Sequence, residues 1–256
     1  MKVLWTIPAV LAICLACAAQ SSRPRTASAS SPASQPQRET RTIAGWSVHV
    51  SRQLLAQDPN ATAHALELLE TQLKEIIRDV PPSAVKELQK VPLYFSPEYP
   101  NIHPRAEFHP NAQWLRENGR DPAMASGVEF TNVRIYEAEV KRMPNFPLHE
   151  LAHAYHCLVL PKGFENPEIK EAYQRAKGAG LYDNVERWSG PGKPITRGKA
   201  YAMTNPQEFF AENTEALFSR NDFFPFTREE LKKYDPETYE LLVKLWNILE
   251  EKKAGK

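Results

Sequence analysis

Strand-like patterns are confined to the first half of this sequence, and this order constrains the fold more than any other feature. Apolar and polar residues alternate over 43–50 and, most regularly, over 128–136, while a short apolar run covers 91–95. Strands followed mainly by helices predict an α+β domain, with a small N-terminal sheet and a helical lobe. Helical spacing is found at 60–78, 84–89, 146–160, 166–178, 205–218, 227–234 and 236–252.

Two of these strands carry further expectations. Pro92 cannot donate a backbone hydrogen bond, so we expect the 91–95 strand at an edge of the sheet. The 128–136 strand closely precedes the first of the C-terminal helices, so we expect it to run along a functional cleft. An exposed edge there would pair with an extended peptide.

The first nineteen residues have the pattern of a secretory signal peptide. Lys2 precedes an apolar run that ends in the small residues Ala16-Cys17-Ala18. This run is shorter than the roughly 20 apolar residues of a membrane-spanning helix, and no later segment approaches that length. We therefore predict a signal peptide at 1–19 and a protein that is secreted, periplasmic or held in the cell envelope. An uncleaved anchor, or a lipid attached to Cys14 or Cys17, is the alternative.

The segment after the signal peptide is expected to be disordered. Residues 20–41 are rich in Ser, Pro, Ala and Arg and have no large apolar side chain. Such a segment cannot offset its ordering entropy by burial, which predicts a flexible linker before a folded domain at 42–256. Signal cleavage would leave Cys157 as the only cysteine, so the hydrophobic core must stabilise the domain without a disulfide. We expect this domain to be a monomer.

The distribution of charge argues against binding to nucleic acid. The chain has 32 basic and 31 acidic residues, a formal net charge of +1. Five of the basic residues and one acidic residue lie in 1–41, which leaves 27 basic and 30 acidic residues in 42–256. A weakly acidic domain without a stripe of lysine and arginine lacks the electrostatic footprint of a nucleic-acid-binding protein.

Residues 149–153 read His-Glu-Leu-Ala-His, an H-E-x-x-H pattern inside a predicted helix. Positions i and i+4 share one helix face, so the His149 and His153 imidazoles can converge on one zinc ion. Glu150 then lies beside the metal, where its carboxylate can accept a proton from a zinc-bound water. A helix with two surface or capping histidines is the alternative.

A catalytic zinc site requires a third protein ligand. A third histidine in the pattern H-E-x-x-H-x-x-G-x-x-H is excluded, because His156 and Val159 stand where that pattern has Gly and His. We expect His156 to be an ordinary, partly exposed residue. The two histidines of the Pro-rich loop, His103 and His109, are expected at the surface.

A predicted helix that begins near Asn205 offers a carboxylate instead. Asn205 and Pro206 suit its N-cap and first position, and Glu208 and Glu212 share one face. Unpaired acidic residues in a mostly apolar helix are costly to bury, and a zinc ion with its histidines would supply the partners. Glu208 would then bind the metal, and Glu212 would accept a hydrogen bond from a ligand imidazole. Alternatively, Glu208, Glu212 and Glu215 face water on an amphipathic helix.

These paired motifs resemble those of the gluzincin metallopeptidases. The His-Glu-Leu-Ala-His motif, followed by Glu-Phe-Phe-Ala-Glu at 208–212, is most similar to the catalytic domain of anthrax lethal factor and related secreted zinc proteins. The resemblance covers about residues 144–222. It implies a zincin-like domain, a Zn2+ cofactor and Glu208 as third ligand. It also implies that Tyr201, seven residues earlier, helps to stabilise the transition state. The toxin's substrates are not implied.

The residues and the resemblance together predict a secreted zinc-dependent endopeptidase that acts on a peptide or protein substrate. Glu150 would activate a zinc-bound water for attack on a peptide carbonyl. Tyr201 would donate a hydrogen bond to the developing oxyanion, or alternatively would be a buried aromatic residue. Two other functions remain as alternatives: a non-catalytic zincin-like binding protein of the cell envelope, and a zinc hydrolase of a non-peptide substrate.

Overall fold

The structure, a computed structural model, describes residues 37–248. The predicted signal peptide at 1–19, most of the predicted linker and the end of the predicted 236–252 helix lie outside these residues. The described residues all belong to one compact unit of the chain. No helix within them combines the length and the apolar character that a membrane crossing requires.

A five-stranded mixed sheet forms the N-terminal part of the fold, in the order β1-β2-β3-β5-β4. β2, β3 and β5 are parallel, whereas β1 and β4 run antiparallel to their neighbours. The two edge strands are therefore β1 and β4. The strands are β1 (Arg38–Ile43), β2 (Trp46–Ser51), β3 (Leu93–Phe95), β4 (Ala106–Phe108) and β5 (Val128–Phe130).

The alternating pattern at 43–50 belongs to a hairpin rather than to one strand. Ala44 and Gly45 have positive φ angles of 48° and 89°, as the two central residues of a tight hairpin turn require. β1 begins at Arg38 and pairs with β2, so the ordered fold starts before the linker boundary predicted at residue 41. The polar sequence concealed this strand, because an edge strand needs backbone pairing but little apolar burial.

The other two strand predictions also need correction. β3 lies between β2 and β5 rather than at an edge, because Pro92 precedes the strand and uses only its carbonyl, which accepts from Val128 N at 3.0 Å. β5 covers only the first three residues of the predicted 128–136 strand and is paired on both sides. Residues 133–135 form a 3-10 turn, and the buried Tyr136 begins a helix. The strand with a free edge in this part of the sheet is therefore β4.

The helices predicted after the last strand are confirmed within about two residues, except that the predicted 236–252 helix ends at Leu245; most begin with a proline in the first turn. A second hairpin, which the sequence did not suggest, joins β6 (Val185–Arg187) to β7 (Thr196–Gly198). The helices are α1 (Arg52–Gln57), α2 (Pro59–Asp79), α3 (Pro82–Leu88), α4 (Ala112–Glu117), α5 (Tyr136–Arg142), α6 (Phe146–Leu158), α7 (Pro167–Gly178), α8 (Pro206–Phe218), α9 (Arg228–Tyr234) and α10 (Pro236–Leu245).

The main core joins the sheet to α2, α6, α8 and α10. Trp246, which is fully buried at the end of α10, stacks on Tyr155 of α6 with 4.1 Å between ring centroids. Its other contacts are with α8, where it stacks on Phe210 at 5.8 Å and donates from Nε1 to Thr214 Oγ1 at 3.2 Å. The fold is thus α+β, with a small sheet and a helical lobe, and α6 and α8 are held side by side.

Candidate metal centre

Helix α6 presents His149 and His153 on one face. Asn145 Oδ1 accepts a hydrogen bond from Leu148 N at 3.3 Å, and Pro147 occupies the first turn, so the helix begins at a defined residue. Leu148 is buried in the core, which fixes the rotation of the helix about its axis. The two imidazole rings then lie one turn apart, with 4.7 Å between their centroids.

Helix α8 brings a row of glutamates to these imidazoles. Asn205 Oδ1 accepts from Glu208 N at 2.8 Å and caps the helix. Glu208, Glu212 and Glu215 recur at i, i+4 and i+7 and therefore lie on one face, which is directed at α6. Glu212 and Glu215 are buried, so the alternative in which these glutamates face water is wrong for both.

Three donor atoms meet where α6 and α8 approach each other. Glu208 Oε2 lies 3.1 Å from His149 Nε2 and 3.3 Å from His153 Nε2, and the two Nε2 atoms are 3.1 Å apart. Zinc in a tetrahedral site binds nitrogen and oxygen at about 2.0–2.2 Å and so separates its ligand atoms by about 3.3 Å. Two imidazoles and one carboxylate at this spacing fit a zinc ion.

Glu215, rather than Glu212, holds His149 in position. Glu215 Oε1 lies 2.6 Å from His149 Nδ1, whereas Glu212 Oε1 lies 3.8 Å from the same atom. The predicted hydrogen bond to Glu212 is therefore wrong, because the residue one turn further along α8 reaches the ring first. A carboxylate on Nδ1 fixes the ring orientation and leaves Nε2 to bind a metal.

Burial and mutual proximity shift the pKa values of these groups. Burial opposes charge on His149, but hydrogen bonds with Glu208 and Glu215 outweigh it and raise the pKa of His149 well above its usual range. Burial also opposes charge on Glu208, yet hydrogen bonds from both histidines hold its pKa far below the usual range. Burial raises the pKa of Glu215 to about 7, and burial with the charge of Glu215 raises the pKa of Glu212 well above its usual range. The opposite shifts of Glu208 and Glu212 reflect their different neighbours, because Glu208 faces two imidazoles whereas Glu212 is buried beside another carboxylate.

Glu150 and Tyr201 lie beside the three donor atoms. Glu150 Oε2 accepts a hydrogen bond from Phe108 N at 2.8 Å, so strand β4 holds this carboxylate. The Tyr201 hydroxyl lies 3.5 Å from Glu208 Oε1, and Tyr201 is 49% exposed, so the alternative of a buried aromatic residue is wrong. Burial of its hydroxyl and the charge of Glu208 raise the pKa of Tyr201, which keeps the hydroxyl protonated at neutral pH.

A cleft of about 920 Å³ contains these groups, a volume typical of ligand-binding sites. Its lining includes strand β4 and Phe164, which we call the β4 wall, and Arg187, Lys199 and Phe223 at or beside the β6–β7 hairpin, which we call the hairpin wall. The candidate ligands of α6 and α8 line the same cleft. The cleft therefore gives a peptide-sized molecule access to all three donor atoms.

Two histidines lie in places that the sequence did not predict. His156 is fully buried between Phe164 and Phe210, and neither ring nitrogen has a hydrogen-bond partner among the described residues. His109 is also fully buried, with Nε2 3.0 Å from Glu129 Oε2. Both predictions of exposure are wrong. His156 is on the buried face of α6, and the side chain of His109, which follows edge strand β4, turns inward. His103 is exposed, as predicted.

Sequence reasoning also missed three groups at or beside the cleft. The Phe108 amide carries no side-chain signal, since any residue other than proline offers the same donor. Asp222 lines the cleft and accepts a hydrogen bond at 2.7 Å from Arg142 Nη1. The third missed residue, Glu215, had a signal: its i+7 spacing from Glu208 on a helix whose other face is apolar.

One comparison with known proteins bears on this site. The model of the family described as anthrax toxin lethal factor, N- and C-terminal domain, matches residues 123–245, just under half of the chain. The matched range includes β5, α6, the β6–β7 hairpin and α8, and therefore every donor atom of the candidate metal centre. It indicates a distant lethal-factor-like relationship. No curated protein and no solved structure matches the chain.

Proposed function

We propose that this chain is a zinc-dependent endopeptidase with a zincin-like domain. The observation that carries the proposal is the meeting of His149 Nε2, His153 Nε2 and Glu208 Oε2 at 3.1–3.3 Å, in a cleft that also holds Glu150. The three residues would hold the metal, and Glu215 would orient His149. Bound zinc lowers the pKa of a coordinated water to near neutrality and polarises a carbonyl group.

Glu150 is the proposed general base. Its Oε2 is held by Phe108 N, which leaves Oε1 to take a proton from a water molecule in the cleft and later to pass it to the leaving amine. A carboxylate that only supported a structural metal site would not need to project into the cleft. This position of Glu150 favours hydrolysis over a non-catalytic binding role.

Tyr201 is the proposed donor to the oxyanion. The protonated hydroxyl of this half-exposed residue stands next to Glu208 and can donate a hydrogen bond to the negative oxygen that forms when a carbonyl is attacked. The same geometry would serve a tetrahedral intermediate from a non-peptide substrate. The peptide assignment therefore depends on the strand beside the site.

Strand β4 supports a peptide substrate. His109 N donates to Gly127 O, and Thr131 N donates to Arg105 O, so alternate residues of this segment face β5. The backbone groups of Ala106, between them, are directed to the free edge, and Ala106 lines the cleft. An extended peptide can add to such an edge by main-chain hydrogen bonds. The substrate strand proposed from the sequence at 128–136 is thus replaced by β4.

We further propose that the protein acts after export, as a monomer, on a peptide or protein. The apolar segment at 1–19 and the Ser/Pro-rich composition that follows it support export. The net negative charge of the rest of the chain supports a protein partner rather than nucleic acid.

The first test is the zinc content of the purified full chain beside four variants. We expect about one zinc per wild-type chain, lost in His153→Ala and Glu208→Ala. The matched controls His64→Ala and Glu70→Ala remove the same side-chain types from the exposed face of α2 and should retain zinc. Zinc lost only in His153→Ala would reassign the third ligand, and a metal-free wild type in excess zinc would favour a non-catalytic protein.

The second test separates metal binding from catalysis. Glu150→Gln should keep its zinc and lose about 10²–10⁴-fold in the rate of peptide cleavage, because only the general base is removed. Cleavage is measured on a mixed peptide library by mass spectrometry. Unchanged cleavage in this variant would contradict the assigned role of Glu150, and a zinc-loaded wild type that cleaves no peptide would favour a non-peptide substrate.

A further inference from the structure

Three acidic groups of the cleft already have partners. Glu107, on the β4 wall, accepts a hydrogen bond from Arg120 Nη1 at 2.7 Å. Glu150 is bonded to the Phe108 amide, and Glu208 to the two histidines with which it would hold the proposed zinc. These three carboxylates are therefore not free to bind a basic side chain of a substrate.

On the hairpin wall, two cations have only weak partners. Arg187 Nε lies 3.7 Å from Asp222 Oδ2, but that oxygen already receives a 2.7 Å hydrogen bond from Arg142 Nη1. Lys199 Nζ lies 3.6 Å from Asp183 Oδ1, and both side chains are more than half exposed. An exposed pair at this distance contributes little, so both cations remain able to bind an anion.

The hairpin holds these cations in fixed places. β6 pairs with β7 on one side and with Phe223 on the other, and Phe224 N donates to Glu186 O at 2.8 Å. The Arg187 guanidinium also lies over the Phe223 ring, with 4.8 Å to its centroid. Lys199 follows β7 directly and lies two residues before Tyr201. Both cations line the cleft that also contains the proposed oxyanion donor, Tyr201.

We propose that Arg187 and Lys199 make this cleft selective for peptides with an acidic side chain close to the bond that is cleaved, an inference that rests on the proposed peptidase function. The guanidinium of Arg187 can bind a carboxylate through two parallel hydrogen bonds, and Lys199 adds a point charge on the same wall. The same two cations repel a lysine side chain, so selectivity arises from attraction and repulsion together.

The test measures binding without cleavage. A short fluorescent peptide carries Glu, Gln or Lys at each position in turn, and its Kd for the zinc-loaded Glu150→Gln full chain is measured by anisotropy at physiological and at high salt. At the best position we expect Glu peptides to bind about tenfold more tightly than Lys peptides, and the preference to shrink at high salt. A Glu/Lys ratio within twofold at every position would overturn the proposal.

Charge variants locate the preference. Arg187→Gln with Lys199→Gln, in the same background, should reduce the ratio to near one, and Arg187→Glu with Lys199→Glu should invert it. The control Lys74→Gln with Arg78→Gln removes the same charge from the exposed face of α2 and should leave the ratio unchanged. A ratio that survives in the cleft variant, or falls equally in the control, would overturn the proposal. Failure of zinc-loaded wild type to cleave any bound peptide would instead count against the peptidase function, since the binding ratio is measured independently.

Discussion

Two parts of this molecule bury a glutamate beside a histidine, and they balance their charges in opposite ways. In the first, called the Glu129 cluster, the buried Glu129 contacts the Tyr99 hydroxyl at 2.8 Å, His109 Nε2 at 3.0 Å and Arg120 Nη1 at 3.3 Å. Burial opposes ionisation of Glu129, yet hydrogen bonds from His109, Ser96 and Tyr99 outweigh it and lower its pKa. The negative charge of Glu129 is therefore balanced by groups of the protein itself.

The candidate metal centre instead has unpaired hydrogen-bond acceptors. Its buried side-chain atoms without a hydrogen-bond partner among the described residues are carboxylate oxygens, Glu212 Oε2 and Glu215 Oε2. In the Glu129 cluster the corresponding atoms are nitrogens, His109 Nδ1 and Arg120 Nε. A bound cation would complement spare acceptors but not spare donors. The difference therefore agrees with the proposal that zinc binds beside the glutamates of α8, whereas the Glu129 cluster is complete without a metal.

Glu129→Gln tests the first half of this comparison and has the largest expected effect. It leaves the buried Arg120 with Glu107 as its remaining carboxylate, which should lower the free energy of unfolding by about 3–5 kcal/mol. Chemical denaturation measures this loss with and without zinc, beside Glu87→Gln, which removes an exposed glutamate paired with Lys90. If zinc restored the lost stability of Glu129→Gln, the Glu129 cluster would not be independent of the candidate metal centre.

Removal of zinc tests the second half. A ligand that binds only the folded state stabilises it by about 3–4 kcal/mol at 100 to 1,000 times its Kd, so a chelator should lower the Tm of the wild type. Glu208→Gln should lose this response, and Glu129→Gln should keep it. Equal responses to chelator in wild type and Glu208→Gln would contradict the proposed ligand set.

Protonation of His156 has the smallest expected effect on stability. It extends the comparison to a buried histidine whose ring has no hydrogen-bonded carboxylate among the described residues. Burial, with the charge of His153, lowers the pKa of His156 to about 4. The folded state keeps the ring neutral while the unfolded state binds a proton below about pH 6.5, so stability is lost as pH falls from 6.5 towards 4. At pH 5.5 the loss should be about 1 kcal/mol.

The variant His156→Phe keeps a ring of similar size and removes the titration. Its free energy of unfolding should therefore depend less on pH than that of the wild type between pH 7 and 5. The remaining titratable groups contribute equally in both proteins. Denaturation at several pH values measures the difference. Identical pH dependence in the two proteins would mean that the buried ring is protonated or hydrated in the folded state.

The sequence was most informative where chemistry and helix period coincide. The one-turn separation of His149 and His153 placed both on one helix face, and Asn205 and Pro206 marked a helix start three residues before Glu208. That Glu208 approaches the histidines was inferred from the ligand chemistry of zinc and from the family resemblance, since spacing within each helix does not fix how two helices meet. Spacing did not decide between Glu212 and Glu215 either, because both lie on the same face and only the crossing of α8 over α6 decides which one reaches His149.

The sheet was less predictable because its strands are short and their pairing is non-local. Alternation over 128–136 suggested one long strand, but β5 ends at Phe130 and Tyr136 packs into the core from a helix. β1 is polar, and β4 is only three residues long, so neither has a hydrophobic pattern to detect. Strand β4, which contacts Glu150, therefore could not be detected from hydrophobic periodicity, although Phe108 lies only 42 residues before Glu150 in the chain.

The hydrogen bond from Phe108 N to Glu150 Oε2 has a consequence for the order of events during synthesis. The amide belongs to a strand from the first half of the chain, whereas the carboxylate belongs to a helix that emerges later and is completed by α8 later still. The proposed base therefore has no fixed orientation until α6 has packed against β4. In the proposed enzyme, hydrolytic competence would be a product of tertiary folding rather than of the motif helix alone.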